Sequence, residues 1–365
     1  MNLKEIQLKI LDRYIIRKFL GTFFFSLALI IVIAVVFDIS EKLDDFIERK
    51  APFHKIVFDY YFNFIPYFAN LFAPLFVFIS VIYFTARMAA NTEIVAILNS
   101  GVSFRRLLYP YFISATVLAL LSFYFNGWVI PHSNKVKLNF ENIYIKNPVE
   151  FKDRNLHRQI MPGVFMYMES YNNNENIGYR FSLEKIENGK RTWFLNSERI
   201  TWDSVKTKWR IENYYIRKIN GYHETLANGR FLDTTLNMKP SDFRRRLNSI
   251  DAMDTPALRK FIREEREQGS DNVSVYMVEL YRRYAIPFST FILTLIAVSL
   301  SSRKVRGGIG VQLGLGITIS FAFILFMQVS NTFAINGSIP AIIAVWIPNI
   351  IFSAIAFLLA RYAPK

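Results

Sequence analysis

Charged residues are absent from five stretches of the chain, and the spacing of those stretches sets out an architecture. The longest, Gly307–Ala360, runs for 54 residues without Asp, Glu, Lys, Arg or His. A helix crosses the hydrocarbon layer with about 20 apolar residues, so this run suits two spans. Asn331, Asn336, Gly337, Ser338 and Pro340 supply the turn between them. Phe19–Phe37, Tyr60–Ala86, Leu107–Pro131 and Tyr284–Ser302 are each long enough for one span. Six transmembrane helices are therefore predicted, three before and three after a polar block, His132–Arg283. The first run exceeds the ~7–15-residue apolar core of a signal peptide and lacks a small-residue cleavage site after it, so a retained helix is expected.

Inside the polar block the hydrophobic period shortens from that of a helix to that of a strand. Val164–Glu169, Gly178–Lys185, Thr192–Thr201, Lys208–Lys218 and Gly229–Leu236 are short, rich in β-branched and aromatic residues, and partly alternating. Asn188-Gly189, Asn220-Gly221 and Asn228-Gly229 read as turns. Strands recurring every ~8–12 residues indicate an antiparallel sandwich, jelly roll or barrel. The stretch from Lys135 to Asp251 is long enough to bury a core of its own. A helix follows, with Thr255 to cap it, Pro256 at its first position and Gly269 to end it.

Charge then orients the spans. With the N-terminus in the cytoplasm, segments 1–18, 87–106, 303–306 and 361–365 hold 13 Lys/Arg and 3 acids, whereas 38–59 and the Asn331 turn hold 4 Lys/Arg. The positive-inside rule expects both termini in the cytoplasm and the polar block outside, and a block that long crosses whatever its charge. The net charge of +15 thus reflects topology, and nucleic-acid binding is not expected. The chain has no cysteine, which excludes a disulfide framework, thiolate metal sites and cysteine nucleophiles.

Candidate chemistry is sparse. H-E-x-x-H, G-x-S-x-G, G-x-x-x-x-G-K-[ST] and Cys/His clusters are missing. His54, His132, His157 and His223 are scattered and read as polar loop or surface residues. No catalytic residue, metal site or bound cofactor is expected. Asp44 and Asp45 could serve a membrane enzyme acting on lipid or glycan, although paired acids in a loop usually form a solvated face. A further alternative is a non-transporting envelope scaffold whose β-domain only binds partners.

The neutral runs offer no buried carboxylate to a proton- or sodium-driven carrier. Their polar exceptions, Asn63, Asn70, Asn126, Gln312, Gln328 and Asn331, are expected to hydrogen-bond between helices. The Gly307, Gly308, Gly310, Gly314, Gly316 series lacks the Lys-Ser/Thr of a phosphate loop. Gly310-x-x-x-Gly314 reads instead as a close helix-packing face, within the chain or against a partner. Energy must then enter elsewhere, and Thr92–Leu98 offers a place. It reads as a short amphipathic helix with Glu93 near its N-terminus, where the dipole favours an anion, closed by Ser100-Gly101. Such a helix lies on the bilayer interface, or docks in a groove of a separate ATPase with Glu93 paired to a basic residue.

Three segments carry a resemblance. Leu11-Asp12-Arg13-Tyr14 before the first span, Thr92-Glu93-Ile94-Val95 through Asn99-Ser100-Gly101-Val102-Ser103 after the second, and Arg303-Lys304-Val305-Arg306-Gly307-Gly308 after the fourth resemble the lipopolysaccharide-export permeases LptF/LptG (YjgP/YjgQ). The opening motif leans towards LptG. The resemblance covers the whole chain and implies an α-helical membrane protein of six spans, three plus three, with an inserted periplasmic all-β jelly-roll-like domain. Its parts would be residues 1–131 with spans one to three and a cytoplasmic coupling helix at about 88–100, the β-jelly-roll at 132–252, a connecting helix at 253–283, and spans four to six at 284–365.

The resemblance also implies a function and partners. Two such permeases pair in the bacterial inner membrane, and their first and fifth helices form an outward-opening cavity. It takes lipopolysaccharide from the outer leaflet and passes it through the β-domains to LptC- and LptA-like proteins, towards the outer membrane. A cytoplasmic LptB-like ATPase dimer, which carries the ATP and Mg, drives the cycle. ATPase coupling falls on Thr92, Glu93, Ile97 and Gly101, and the gate helix against the partner permease on Gly310 and Gly314. In LptG-type chains basic residues near the outer end of the first helix meet lipid phosphates, whereas here Asp38, Asp44 and Asp45 fall at those places. Acids repel phosphate, so Lys42, Arg49 and Lys50 take over beside Asp38, or the lipid carries fewer phosphates there, or cations bridge.

Overall fold

A computed structural model describes residues 9–145, 153–172, 175–240, 247–267, 269–270, 272–303 and 308–363. The chain forms two units, one of residues 1–145, 251–255 and 274–365, the other of residues 146–250 and 256–273.

Among the described residues, six helices of the first unit are long and apolar enough to cross a membrane: α1 (Ile10–Glu48), α2 (Phe53–Ala90), α4 (Phe104–Tyr144), α6 (Val273–Ser301), α7 (Gly308–Ile335) and α8 (Ala341–Arg361). The short α3 (Glu93–Asn99) joins α2 to α4, and α5 (Thr255–Glu267) belongs to the second unit. The first four spans are longer than their neutral runs, because a helix keeps its backbone hydrogen bonds after leaving hydrocarbon. The 39 residues of α1 extend about 58 Å at 1.5 Å per residue, against a core about 30 Å thick.

The turn between the last two spans is shorter than the sequence suggests. Asn331, read as its start, lies buried inside α7, which runs on to Ile335. Asn costs a helix only a few tenths of a kcal/mol, about 0.7 at most, so the true breakers are the residues beyond. Gly337 takes φ +74° and Pro340 caps α8. Of the other polar residues inside the spans, Asn70 donates to Asn126 Oδ1 at 2.9 Å and ties α2 to α4. Gln312 of α7 donates to the Arg303 carbonyl at 2.9 Å. Asn63 instead bonds the Phe58 and Asp59 carbonyls of its own helix. The loop motif at Lys304–Gly307 lies outside the described residues.

Packing centres on α2. Ile15 and Phe19 of α1, Phe78 and Ile82 of α2, Tyr111 of α4 and Leu293 and Ile296 of α6 are fully buried in one cluster. Lipid tails are as apolar as these side chains, so close contact rather than water exclusion holds the helices together. Gly316 shows how close: a Cβ there would collide with Ile82 and Phe78.

The second unit contains a six-stranded antiparallel sheet: β1 (Asp153–Met161), β2 (Val164–Asn172), β3 (Ile177–Glu187), β4 (Lys190–Asp203), β5 (Lys208–Asn220) and β6 (His223–Thr234). The strand order, which the sequence leaves open, is β1-β2-β3-β4-β5-β6. Every described strand thus lies beside its sequence neighbours, and this meander makes up the inserted all-β domain. Met166, Met168, Phe181, Leu195, Trp209 and Ile211 fill its core. Trp209 satisfies its indole N–H on the Met238 carbonyl at 2.9 Å.

Two expected turns form, and a third does not. Asn188 (φ +50°) and Gly189 (φ +73°) close the β3–β4 hairpin between the paired Glu187 and Lys190, both in the left-handed region that such a two-residue turn requires. Gly221 and Tyr222 link the paired Asn220 and His223. Asn228-Gly229, read as a turn, instead lies inside β6. Gly229 faces Tyr214 on β5, and a Cβ would meet its Oη at 2.6 Å. The glycine is there to admit the ring. α5 begins at Thr255, one residue earlier than its signals predict, so that Pro256 stands second in the helix, and Gly269 at φ +68° follows it as expected.

Candidate functional site

The short helix α3 is anchored from below and open above. Thr92 adopts φ +62° and redirects the chain out of α2. Ile94, fully buried, drops into the cluster that holds Ile15, Phe19, Met88 and Leu107. Half-buried Ile97 packs at the edge of the same cluster. Thr92, Val95, Ala96, Asn99 and Ser100 are left exposed, and Gly101 at φ +86° ends the helix.

Glu93 sits on the rim of this face. Its carboxylate accepts from Tyr14 Oη at 3.2 Å and from Asn91 Nδ2 at 3.3 Å, two neutral donors that orient the charge without cancelling it. Beneath, Asp12 of α1 takes both arms of Arg106, and also accepts the Lys9 backbone N–H at 2.9 Å. Thus α1, α3 and the start of α4 form one braced base. Its outer surface presents Val95 and Ala96 among the polar Thr92, Asn99 and Ser100, beside the Glu93 anion.

Gly310 and Gly314 line an open face of α7; a Cβ at either would meet no atom within 4 Å. The packing glycine within the chain is Gly316. Only 17% of the apolar stretch of α1 and 22% of that of α7 are buried, against 61% for α6. Phe25, Phe37, Phe321 and Leu325 stand out from these two helices.

At the far end of α1, Asp38 and Lys42 pair at 2.6 Å. Lys42 also donates to Tyr60 Oη, and Tyr61 Oη donates to Asp38 Oδ2 at 3.2 Å. Phe46, Phe64 and Phe140 pack around the two tyrosines. A π-helical turn at Ile56–Tyr61 brings both consecutive tyrosines inward. Asp38 and Lys42 are therefore turned towards each other and the protein. Lys50 (φ +51°) is exposed just past the end of α1, and Arg49 caps that helix. Asp44 is exposed.

Sequence reading missed a polar group at this same end of the first unit, formed by Asn134, Asp251, Glu279, Arg282 and Arg283. The charged members flank the neutral runs rather than interrupting them, so the runs gave no signal. Among the described residues, no cluster of three His, Asp or Glu side chains could hold a metal ion.

The sequence model of the family described as lipopolysaccharide export system permease LptF/LptG matches residues 13–362. No curated protein sequence gives a significant match. Six membrane-spanning helices, an inserted antiparallel β-sheet and a match over nearly the whole chain agree: the chain belongs to the LptF/LptG family of lipopolysaccharide export permeases, transport proteins rather than enzymes.

Proposed function

We propose that this permease is one half of a pair that lifts lipopolysaccharide out of the outer leaflet of the inner membrane, driven by a separate cytoplasmic ATPase dimer that docks on α3. The observation that carries the proposal is the form of α3: a buried Ile94 sets it in the cluster of α1 and α4, while Glu93 and a face of mostly small side chains, Thr92, Val95, Ala96, Asn99 and Ser100, remain open. A push on that face reaches α1 directly through Tyr14. ATP and Mg belong to the ATPase, since this chain has no phosphate loop.

The second permease would meet the open faces of α1 and α7, where Gly310 and Gly314 allow another helix to approach closely. The lipid then leaves along the β-domain towards LptC- and LptA-like bridge proteins, which could continue the sheet at β1 or β6, its edge strands among the described residues. Asp38 and Lys42 neutralise each other, so in this reading lipid phosphates are met by the exposed Lys50 instead. In this reading both termini are cytoplasmic and the β-domain is periplasmic.

The test is capture of the ATPase from membranes by the full-length permease, with Glu93→Lys beside the wild type. Loss of capture and of lipopolysaccharide export, with the variant still folded, is the expected result. Undiminished capture by Glu93→Lys removes α3 as the docking site.

A further inference from the structure

The polar group at the end of the first unit where α1 finishes borders two hollows. One, of about 60 Å³, is lined by Asn134, Asp251, Glu279 and Arg282, with Tyr67 and Asn126. The other, of about 160 Å³, is an apolar slot between Phe24 and Leu27 of α1, Ala69 and Ala73 of α2, and Leu118 and Leu121 of α4. Asn70 lines both, where it bonds Asn126 and Ser122. The order along the helices is consistent. On α4 the slot residues precede Asn126 and Asn134; on α6 Glu279 and Arg282 precede Thr290, which borders the slot. The polar hollow therefore lies towards the α1 C-terminal end, and the slot towards the bundle's middle.

Two acceptors in the polar hollow lack donors. Asn134, 4% exposed, spends its amide N–H on the Asp251 carbonyl at 3.1 Å and leaves Oδ1 unpaired. The Asp251 carboxylate has neither ion pair nor hydrogen bond among the described residues, and burial beside Glu279 pushes it up to about 6. Arg282 bonds Glu279 at 2.6 Å and keeps further N–H groups. Asp251 and Glu279 stand against Arg282 and Arg283 around the hollow, and Lys137, which also acts on Asp251, pairs with Glu141 at 3.8 Å, so the charges there cancel.

We propose that the two hollows form one site for a single bilayer lipid with a primary-ammonium zwitterionic head, of the phosphatidylethanolamine type: an acyl chain in the slot, the ammonium on Asp251 and Asn134, and the phosphate on Arg282. Water alone can fill the polar hollow, which has room for about four molecules at ~15 Å³ each. It does not fill the slot, whose apolar walls at the bundle surface face hydrocarbon, with Phe24 and Leu121 on the rim. An amphiphile satisfies both hollows together. A primary ammonium donates the hydrogen bonds that Asn134 Oδ1 and Asp251 lack, whereas a quaternary ammonium cannot. An anionic glycerol head brings a phosphate for Arg282 and neutral hydroxyl donors for the acceptors, but no cation to pair with the Asp251 carboxylate. The proposal stands independently of the transport reading.

The test uses the full chain, delipidated in detergent and offered palmitoyl-oleoyl phosphatidylethanolamine, phosphatidylcholine and phosphatidylglycerol in competition, with retained lipid counted by native mass spectrometry. One phosphatidylethanolamine per chain, at least tenfold over the other two, is expected. Ala73→Phe fills the slot and should cut retention tenfold. Asp251→Asn should abolish the preference over phosphatidylcholine while leaving a chain in the slot. Equal retention of the three lipids by the wild type, or retention of none, overturns the proposal even if both variants misfold. Undiminished retention by a folded Ala73→Phe overturns the slot as its seat.

Discussion

Arg106 grips Asp12 through two hydrogen bonds of 2.7 and 2.6 Å across 94 positions of the chain, joining the start of α1 to the start of α4. Asp12 is 1% exposed, so removing the guanidinium leaves a buried carboxylate unpaired. Such a loss costs about 3–5 kcal/mol in a fully buried pair. The Arg106 side chain is itself partly exposed, so solvent screening reduces the expected cost of Arg106→Ala to about 1–3 kcal/mol. Arg106→Lys should recover only part of this, because an ammonium cannot make the fork. Thermal unfolding of the purified chain measures both, and an Arg106→Lys protein as stable as the wild type removes the bidentate account.

Within α3, neighbouring residues should separate stability from coupling. Ile94→Ala empties a fully buried site and is expected to cost about 2–4 kcal/mol. Glu93→Gln loses only a charge held by two neutral donors and should leave the melting temperature unchanged while reducing ATPase-driven export several-fold. If Glu93→Gln unfolds the protein and Ile94→Ala does not, the assignment of anchor and docking face is reversed.

Glycines of α7 should divide in the same way. Gly316→Val forces a side chain into Ile82 and Phe78 and is expected to cost about 1–3 kcal/mol within the single chain. Gly310→Val and Gly314→Val meet open space and should leave the single chain as stable as before, yet weaken its pairing with a second permease. Cross-linking between permeases reads the pairing, and equal yields for wild type and Gly314→Val would exclude this face.

Asp251 provides a pH test. Its carboxyl is held at about 6 in the folded chain, against an ordinary value near 3.9 in the unfolded one. The folded state therefore binds the extra proton between these values. Stability from this group is complete below about pH 4, declines as pH rises to about 6, and is level above. In detergent free of amine lipids, Asp251→Asn should flatten that decline and melt higher than the wild type at pH 7.5. An unchanged slope assigns the pH dependence to another group.

Single cysteines read sidedness. Asn336, in the turn between α7 and α8, and Asn188, at the β3–β4 turn, should react with an impermeant thiol reagent from the periplasm. Asn99, exposed on α3, should react only from the cytoplasm. The opposite pattern inverts the proposed orientation.

How much of this was legible in the sequence depended on whether a residue's role was local. The spans could be read because a neutral run needs no partner to be recognised. The Asn188-Gly189 turn could be read because left-handed backbone selects those residues by itself. Gly229 looked the same locally, but its reason is Tyr214 on the neighbouring strand. Asn331 likewise offered a turn residue to a helix that needed only to continue to Gly337. At the candidate site, Glu93 stood out by its place in a short amphipathic segment. The pairing of Asp38 with Lys42, Tyr60 and Tyr61 spans two helices and a π-helical turn, and the meeting of Asp251 with Asn134 depends on a return of the chain after 117 positions. Neither leaves a periodic trace.

The meander order has a kinetic meaning. Because β1 to β6 each pair with the strand made just before or after, closing each hairpin requires only short loops, and the entropy of loop closure is met in small steps. A Greek-key sheet would wait for distant strands. Here the β-sheet can zip from one end to the other as it is synthesised, before the three spans encoded after it exist.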